Sequence, residues 1–180
     1  MADTPEPKLS LTDWIVLALI DEEPRHGFSA ARELEAGGPL GRVWTVPRPL
    51  VYRAFEHLEA ASLIERVATE PGDKGPVRTV FRATPTGRKA VATWLEEPVA
   101  HPRDVRTELV AKFVLIARRH HSEAVLVARQ QERFAPVAAG LEAKAARADG
   151  ADRAVALWRF EQMRAIQRLL EAMQVDATRR

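Results

Sequence analysis

Six side chains between residues 48 and 78 stand out for the chemistry they could do: Arg48, Tyr52, Arg53, His57, Lys74 and Arg78. The first four fall on one stretch whose other face carries Val51, Phe55 and Leu58. That i, i+4, i+7 spacing is the apolar stripe of a helix packed on a core, so the polar side chains point outward. A guanidinium can offer two parallel N–H donors to a guanine edge or to a phosphate, and each such base contact is worth roughly 1–3 kcal/mol of discrimination. Lys74 lies in Pro71–Pro76, a run dense in turn formers, where a cation has little packing use. Donors of this kind, with no nucleophile or base beside them, suit the binding of a polyanion. They do not suit the making or breaking of bonds.

Other chemistries lack their residues. The chain has no cysteine, which excludes disulfides and thiolate metal sites. His120 and His121 are adjacent and lack the i, i+4 geometry for one shared ion. Glu22-Glu23 and Glu96-Glu97 read as solvated acids at helix ends, and His26 as a residue that bonds a helix end. No GxxxxGK or GxGxxG loop and no Ser/His/Asp constellation occurs. No cofactor, no metal and no enzymatic activity are therefore expected.

Composition sets wide limits. With 180 residues, 46% hydrophobic and 29% charged, the chain has the make-up of a soluble globular protein. Its longest apolar run, Trp14–Ile20, is too short to cross a bilayer, and MADTPEPKLS has no signal-peptide pattern, so a cytoplasmic setting is expected. The net charge of +2 is unevenly spread: residues 1–97 hold 12 basic and 15 acidic side chains, and residues 98–180 hold 15 and 10. The N-terminal half is thus net acidic. Two basic islands, Arg42–Arg53 and Lys74–Lys89, nevertheless run without an intervening acid, and local charge is what meets phosphate.

The elements that must position these residues follow from periodicity and breakers. Residues 1–8 read as a flexible arm. A first helix is expected over Leu11–Glu23, capped by Ser10 or Thr12 and ended by Pro24. Arg25-His26-Gly27 reads as a turn, and Phe28–Ala36 as a second helix with Phe28, Ala31 and Leu34 inward. The helix Pro49–Ala61 follows a connector carrying Val43, Trp44 and Val46. Strands over Leu63–Glu70 and Val77–Ala83 would form a two-stranded wing, the second with Val77, Thr79, Phe81 and Ala83 on one face. Thr84-Pro85 then caps a helix running to Glu97, with Val91, Trp94 and Leu95 apolar. Three helices, a wing and a helix make a winged helix-turn-helix over residues 9–97.

Pro98 and Pro102 mark a boundary, and residues 98–180 read as wholly helical. Asp104 can cap a helix striped by Val105, Leu109, Phe113 and Ile116. Ser122-Glu123 starts the next, with Val127, Phe134, Ala138, Leu141 and Ala145 as a helix-pair seam and Pro136 as an expected bend. After a turn at Asp149-Gly150, Ala151–Val175 forms the last helix, striped by Val155, Trp158, Met163, Ile166, Leu169 or Leu170, and Met173. Three such stripes in one short region make a thin core, so an intertwined homodimer is expected. The fold class is mainly α: a winged helix-turn-helix domain followed by an α-helical dimerisation region.

Several segments together resemble the PadR family of transcriptional regulators, in its short subgroup with a C-terminal helical dimerisation region. They are Leu17–Ile20, then Pro24-Arg25-His26-Gly27-Phe28, then Leu50-Val51-Tyr52 with Leu58-Glu59 and Leu63-Ile64-Glu65, and finally Phe81–Arg88. The resemblance covers about residues 9–95. It implies that Tyr52 meets the DNA backbone, that Arg48 and Arg53 lie near phosphates or bases, and that Lys74 and Arg78 of the wing reach phosphate or the minor groove. His57, one turn further along the helix, could touch phosphate. Pro49-Leu50 stands where the family has a Gly-Ser pair, so a hydroxyl is missing at the start of this helix.

The resemblance also implies a homodimeric repressor on a near-palindromic operator in double-stranded DNA, released by a small aromatic or drug-like effector. Trp94, Phe113 and Trp158 are the residues whose order suits an effector pocket, although core packing accounts for each tryptophan taken singly. No membrane partner is implied. The alternative, favoured by the acidic N-terminal half, is a winged-helix protein-interaction module without sequence-specific DNA binding.

Overall fold

The computed structural model describes residues 9–71 and 77–179. The chain divides into two compact units, one ending at Trp94 and the other beginning at Leu95. The expected arm, residues 1–8, lies outside the described residues.

In the first unit, α1 (Leu11–Glu22) begins with a capping box. The Asp13 amide donates to Ser10 Oγ at 3.2 Å, and Asp13 Oδ2 accepts from the Ser10 amide at 2.8 Å. Two of the helix's orphan donors are thereby satisfied reciprocally. Every residue from Ile15 to Ile20 is buried, so α1 is the central helix of this core. It packs on α3 (Arg48–Ala60) and on β3 (Arg78–Ala83). From α3 it receives Val51, Ala54, Phe55 and Leu58, the expected stripe plus one alanine.

Arg25-His26 is not a turn but a two-residue strand, β1, paired antiparallel with β3 through Arg25↔Phe81 and His26↔Val80. The wing is therefore part of a three-stranded sheet in the order β1-β3-β2, with β2 at Ile64–Glu70. Two residues are too few to show an alternation, which is why this strand left no periodic trace. The β2–β3 register slips between Arg66 and Ala68, a bulge that inserts one residue and breaks strict alternation. Val80 is buried together with Phe81 and Ala83, whereas Val77, expected on the same face as Phe81 and Ala83, is 67% exposed and lies before the strand begins.

His26 caps α2 (Gly27–Leu34), its Nδ1 accepting from the Ser29 amide at 3.0 Å. Ser62, with φ of 56°, makes the left-handed step that turns α3 into β2. At the exit of the wing, Thr84 Oγ1 accepts from the Gly87 amide at 3.1 Å and donates to the Ser62 carbonyl at 2.9 Å. Gly87 sits in α4 (Pro85–Glu96), where a Cβ would lie 2.1 Å from the Leu63 carbonyl oxygen. Only glycine allows this close approach. Trp94 stacks on Trp14, with centroids 5.4 Å apart and planes 3° from parallel.

The second unit is helical. A 3₁₀ turn at Pro102–Asp104 passes into a π-helical turn at Val105–Leu109 and then α5 (Val110–Arg118). Asp104 makes no side-chain cap, because the chain is already helical on both sides of it. Val105, Leu109, Phe113 and Ile116 are all buried, as their spacing predicts. α6 (Ala124–Arg147) runs through Pro136 as one helix, and α7 (Gly150–Arg179) packs along it. Gly150, expected in a turn, is the first residue of α7 with φ of +48°.

Gln130 and Lys112 are two of the buried polar side chains that hold this unit. Gln130 clamps the backbone of Val99, accepting from its amide at 2.8 Å and donating to its carbonyl at 3.1 Å. Lys112 is 1% exposed; its Nζ donates to the Glu97 carbonyl at 2.8 Å and pairs with Glu108 at 2.8 Å across the π-helical turn. The apolar stripe of α7 is only partly covered. Met163 and Leu170 are buried, but Val155 and Trp158 are exposed, because one neighbouring helix can cover only one face of α7.

Candidate nucleic-acid interface

Burial of Val51, Ala54, Phe55 and Leu58 turns the opposite face of α3 outward. On that face Arg48, Tyr52, Arg53 and His57 are all exposed. Helical spacing sorts them into two rows, Arg48 with Tyr52 and Arg53 with His57. Arg53 projects into solvent, and among the described residues no carboxylate pairs with it. His57 Nδ1 lies 3.7 Å from Asp13 Oδ1, which directs its imidazole toward the start of α1. Pro49 falls in the first turn of α3, where its missing N–H costs nothing. Leu50, the other half of the Pro49-Leu50 pair, is 46% exposed beside it.

Tyr52 is 47% exposed, but one side of its ring is fixed. A Cβ built on Gly27 would fall 2.6 Å from Tyr52 Cε1, so the absence of a side chain at residue 27 makes the seat for the ring. The phenol therefore stands at the junction of α3 and the N-terminus of α2.

Arg48 and Arg78 meet at a residue that the periodicity of α2 had assigned to the core. Phe28 is only half-buried. The guanidinium carbon of Arg48 lies 5.1 Å from its ring centroid and that of Arg78 lies 4.8 Å from it. Arg48 also donates from Nε to Glu35 Oε1 at 2.9 Å. Cation–π contact of this type could not be read from spacing, because residues 28, 48 and 78 come from three separate elements. Lys74 lies outside the described residues.

Between α3 and the wing runs a groove of about 530 Å³, lined among others by Phe28, Tyr52, Phe55, Glu59, Arg66 and Arg78. Arg66 of β2 closes one side. Its Nε and Nη2 donate to the two oxygens of Glu59 at 2.6 and 3.0 Å, and its guanidinium sits 5.8 Å from the Phe81 centroid. The Arg66 hydrogen bonds hold the Glu59 carboxyl below the usual carboxylate range, and Glu59 in turn raises Arg66. Sequence reasoning passed over this pair, which links the last turn of α3 to the wing. A second anchor is Arg25, 7% exposed, ion-paired with Glu22, Glu23 and Glu33 at 3.6, 3.0 and 3.8 Å.

The three residues whose order suits an effector pocket are placed unlike one another. Trp94 is buried against Trp14, Phe113 is buried on α5, and Trp158 is 60% exposed on α7. Among the described residues no cluster of three or more His, Cys, Asp or Glu could hold a metal ion, and no helix is long and apolar enough to cross a membrane.

Comparison with known proteins gives four findings. Residues 16–93 match the model of the transcriptional regulator PadR-like family. Among solved structures, the chain is similar to Bacillus subtilis PadR in complex with operator DNA, at 16% identity and a TM-score of 0.47, covering 93% of this chain and 99% of that one. It is also similar to smu.1604c from Streptococcus mutans UA159, at 16% identity and a TM-score of 0.43, covering 89% of this chain and 96% of that one. No curated protein matches the chain.

Proposed function

We propose, from the match of residues 16–93 to the transcriptional regulator PadR-like family, that the chain is a homodimeric repressor that binds a near-palindromic operator in double-stranded DNA. The observation that carries this reading is the outer face of α3. Arg48, Tyr52 and Arg53 stand there in solvent, backed by a fully buried stripe, with Arg78 of the wing beside them. In this reading α3 is the recognition helix in the major groove, Arg53 reaches a base edge or phosphate, and Tyr52 and His57 meet the backbone. Lys74 and Arg78 serve the wing. The boundary of the DNA-binding domain falls near residue 97, and residues 98–180 form the dimerisation region.

The uncovered stripe of α7 supports the dimer. Val155 and Trp158, three residues apart on one face of the helix, are both exposed, and a second copy offers the same stripe in return. Two recognition helices would then address half-sites about one helical turn apart. A small aromatic effector would release the DNA by favouring a different spacing of the two recognition helices. The protein has no catalytic role in this reading and works in the cytoplasm.

The test is binding to the duplex upstream of the chain's own coding sequence across a salt series. Affinity should fall steeply as salt rises, and Arg53→Ala with Lys74→Ala should weaken it strongly. Unchanged affinity in that double variant would overturn the assignment. The net acidic residues 1–97 favour one other reading, a winged-helix module that binds protein, and salt-independent indifference to duplex DNA would select it. Sedimentation tests the dimer. Titration of an aromatic panel against tryptophan fluorescence tests the effector, and silence across the panel removes it.

A further inference from the structure

We propose that Phe28 and the two guanidiniums on its ring form a single binding site for the backbone phosphate of duplex DNA, tying the recognition helix to the wing. The inference rests on the DNA-binding reading above. It adds a residue to it, Phe28, and makes one site of two arginines that would otherwise be separate contacts.

Phe28 is the second residue of α2, Arg48 the first of α3 and Arg78 the first of β3. Their guanidinium carbons approach one ring at 5.1 and 4.8 Å. An arginine is weakly hydrated and stacks well on an aromatic ring, and a stacked guanidinium keeps its N–H donors in its own plane. Phe28 thus fixes two flexible side chains without consuming their hydrogen bonds. Two like charges held at one ring repel, and the arrangement calls for an anion. Glu35 meets that need at Arg48 only. Of the carboxylates lining the adjoining groove, Glu59 is held bidentately by Arg66, and Glu56 is exposed on α3. Arg78 has no ion pair among the described residues, and its ring contact is with Phe28. An outside phosphate can bridge the two guanidiniums. A duplex strand lying against both recognition helix and wing would bring one there, and its charge would displace the Glu35 carboxylate from Arg48.

The experiment measures affinity for two duplexes of equal length, the upstream DNA and a random sequence, over a salt series. The proteins are the full chain, Phe28→Leu, Phe28→Tyr, Arg48→Met with Arg78→Met, and the combination of that pair with Phe28→Leu. Phe28→Leu should weaken both duplexes by about tenfold and make the salt dependence shallower by roughly one to two counterions. Phe28→Tyr, which keeps the ring, should bind like the parent. In the Arg48→Met/Arg78→Met background, Phe28→Leu should change nothing further, since the ring acts only through the arginines. An equal loss in both backgrounds would mean that Phe28 serves packing alone, and unchanged affinity in Phe28→Leu would equally overturn the site. Should Phe28→Leu fail to fold, the arginine singles decide. One shared site makes their losses non-additive, and strict additivity overturns it. Replacing chloride by inorganic phosphate at equal ionic strength should compete more strongly against duplex binding by the parent than by the double arginine variant, because the free anion enters the same seat. Equal competition against both would overturn a phosphate site at the two arginines. If the parent binds neither duplex, the DNA-binding reading itself falls. If the parent binds and Phe28→Leu binds equally, only the present inference does.

Discussion

The ring of Tyr52 occupies the space that a side chain at Gly27 would need, with Cε1 2.6 Å and Cδ1 2.9 Å from the position of a Cβ. Gly27 has no positive φ, so alanine is tolerated by its backbone, and any penalty arises from the tyrosine alone. Gly27→Ala should destabilise the fold by about 1–3 kcal/mol through overpacking. In a Tyr52→Ala background the same change should cost little. Urea denaturation of both singles and the double measures the coupling, and additive losses would count against the contact. Gly27→Ala should also weaken duplex binding, since it displaces Tyr52 from its seat.

Glu35 occupies Arg48 in the absence of DNA, and both side chains are about half exposed. An exposed pair contributes at most about 1 kcal/mol, so Glu35→Gln should leave the melting temperature nearly unchanged. Duplex affinity should rise several-fold, because Arg48 no longer has to exchange a carboxylate for a phosphate. A salt titration beside the parent checks this, and equal affinity would show that Arg48 does not meet the duplex.

Gln130 satisfies both backbone groups of Val99 in a buried position. Gln130→Leu fills the space but leaves a buried N–H and a buried C=O unpaired. The expected loss is about 2–4 kcal/mol, the desolvation cost of two such groups. Denaturation followed in the C-terminal unit tests it; a loss below about 0.5 kcal/mol would place water or another donor there.

Burial pushes the Lys112 ammonium below the ordinary lysine range, and the hydrogen bond and charge of Glu108 restore only part of that shift. Between the lowered folded value and the unfolded value of about 10.4, the unfolded chain binds the extra proton, so stability rises with pH across that alkaline window. Lys112→Met should abolish this rise. Lys112→Ala should cost about 2–4 kcal/mol more than it, from the cavity it leaves. A pH series of unfolding free energies for parent and Lys112→Met is the measurement, and parallel profiles would refute the assignment.

The fold was largely legible because α1, α3 and α4 each carry a long apolar stripe and a capping or breaking residue, as at Ser10, Pro24 and Thr84-Pro85. The outer face of α3 followed from the same periodicity. What escaped were features with no period. β1 is two residues long, the bulge at Arg66/Ala68 breaks alternation, and the Phe28 seat gathers residues from three elements. Phe28 is apolar and in helical phase with Ala31 and Leu34, so pattern alone sends it inward. Only the arginines arriving from elsewhere give it another use. Along α7 the stripe was read correctly as a stripe, but coverage depends on how many helices surround it, and Val155 and Trp158 have none over them within the chain.

The bulge in β2 bears on something apart from DNA. In the order β1-β3-β2, β2 leaves its outer edge open, and an open edge is a template on which a second chain can add a strand and start an aggregate. Between Arg66 and Ala68 the bulge twists that edge out of register, and the exposed charges of Glu65 and Arg66 stand along the strand. Both are obstacles to edge-to-edge pairing. Straightening the strand by deleting Val67, the extra residue, would therefore do more than alter the wing: it would remove one of the two guards on the longest open edge in the described residues and make the protein more prone to precipitate.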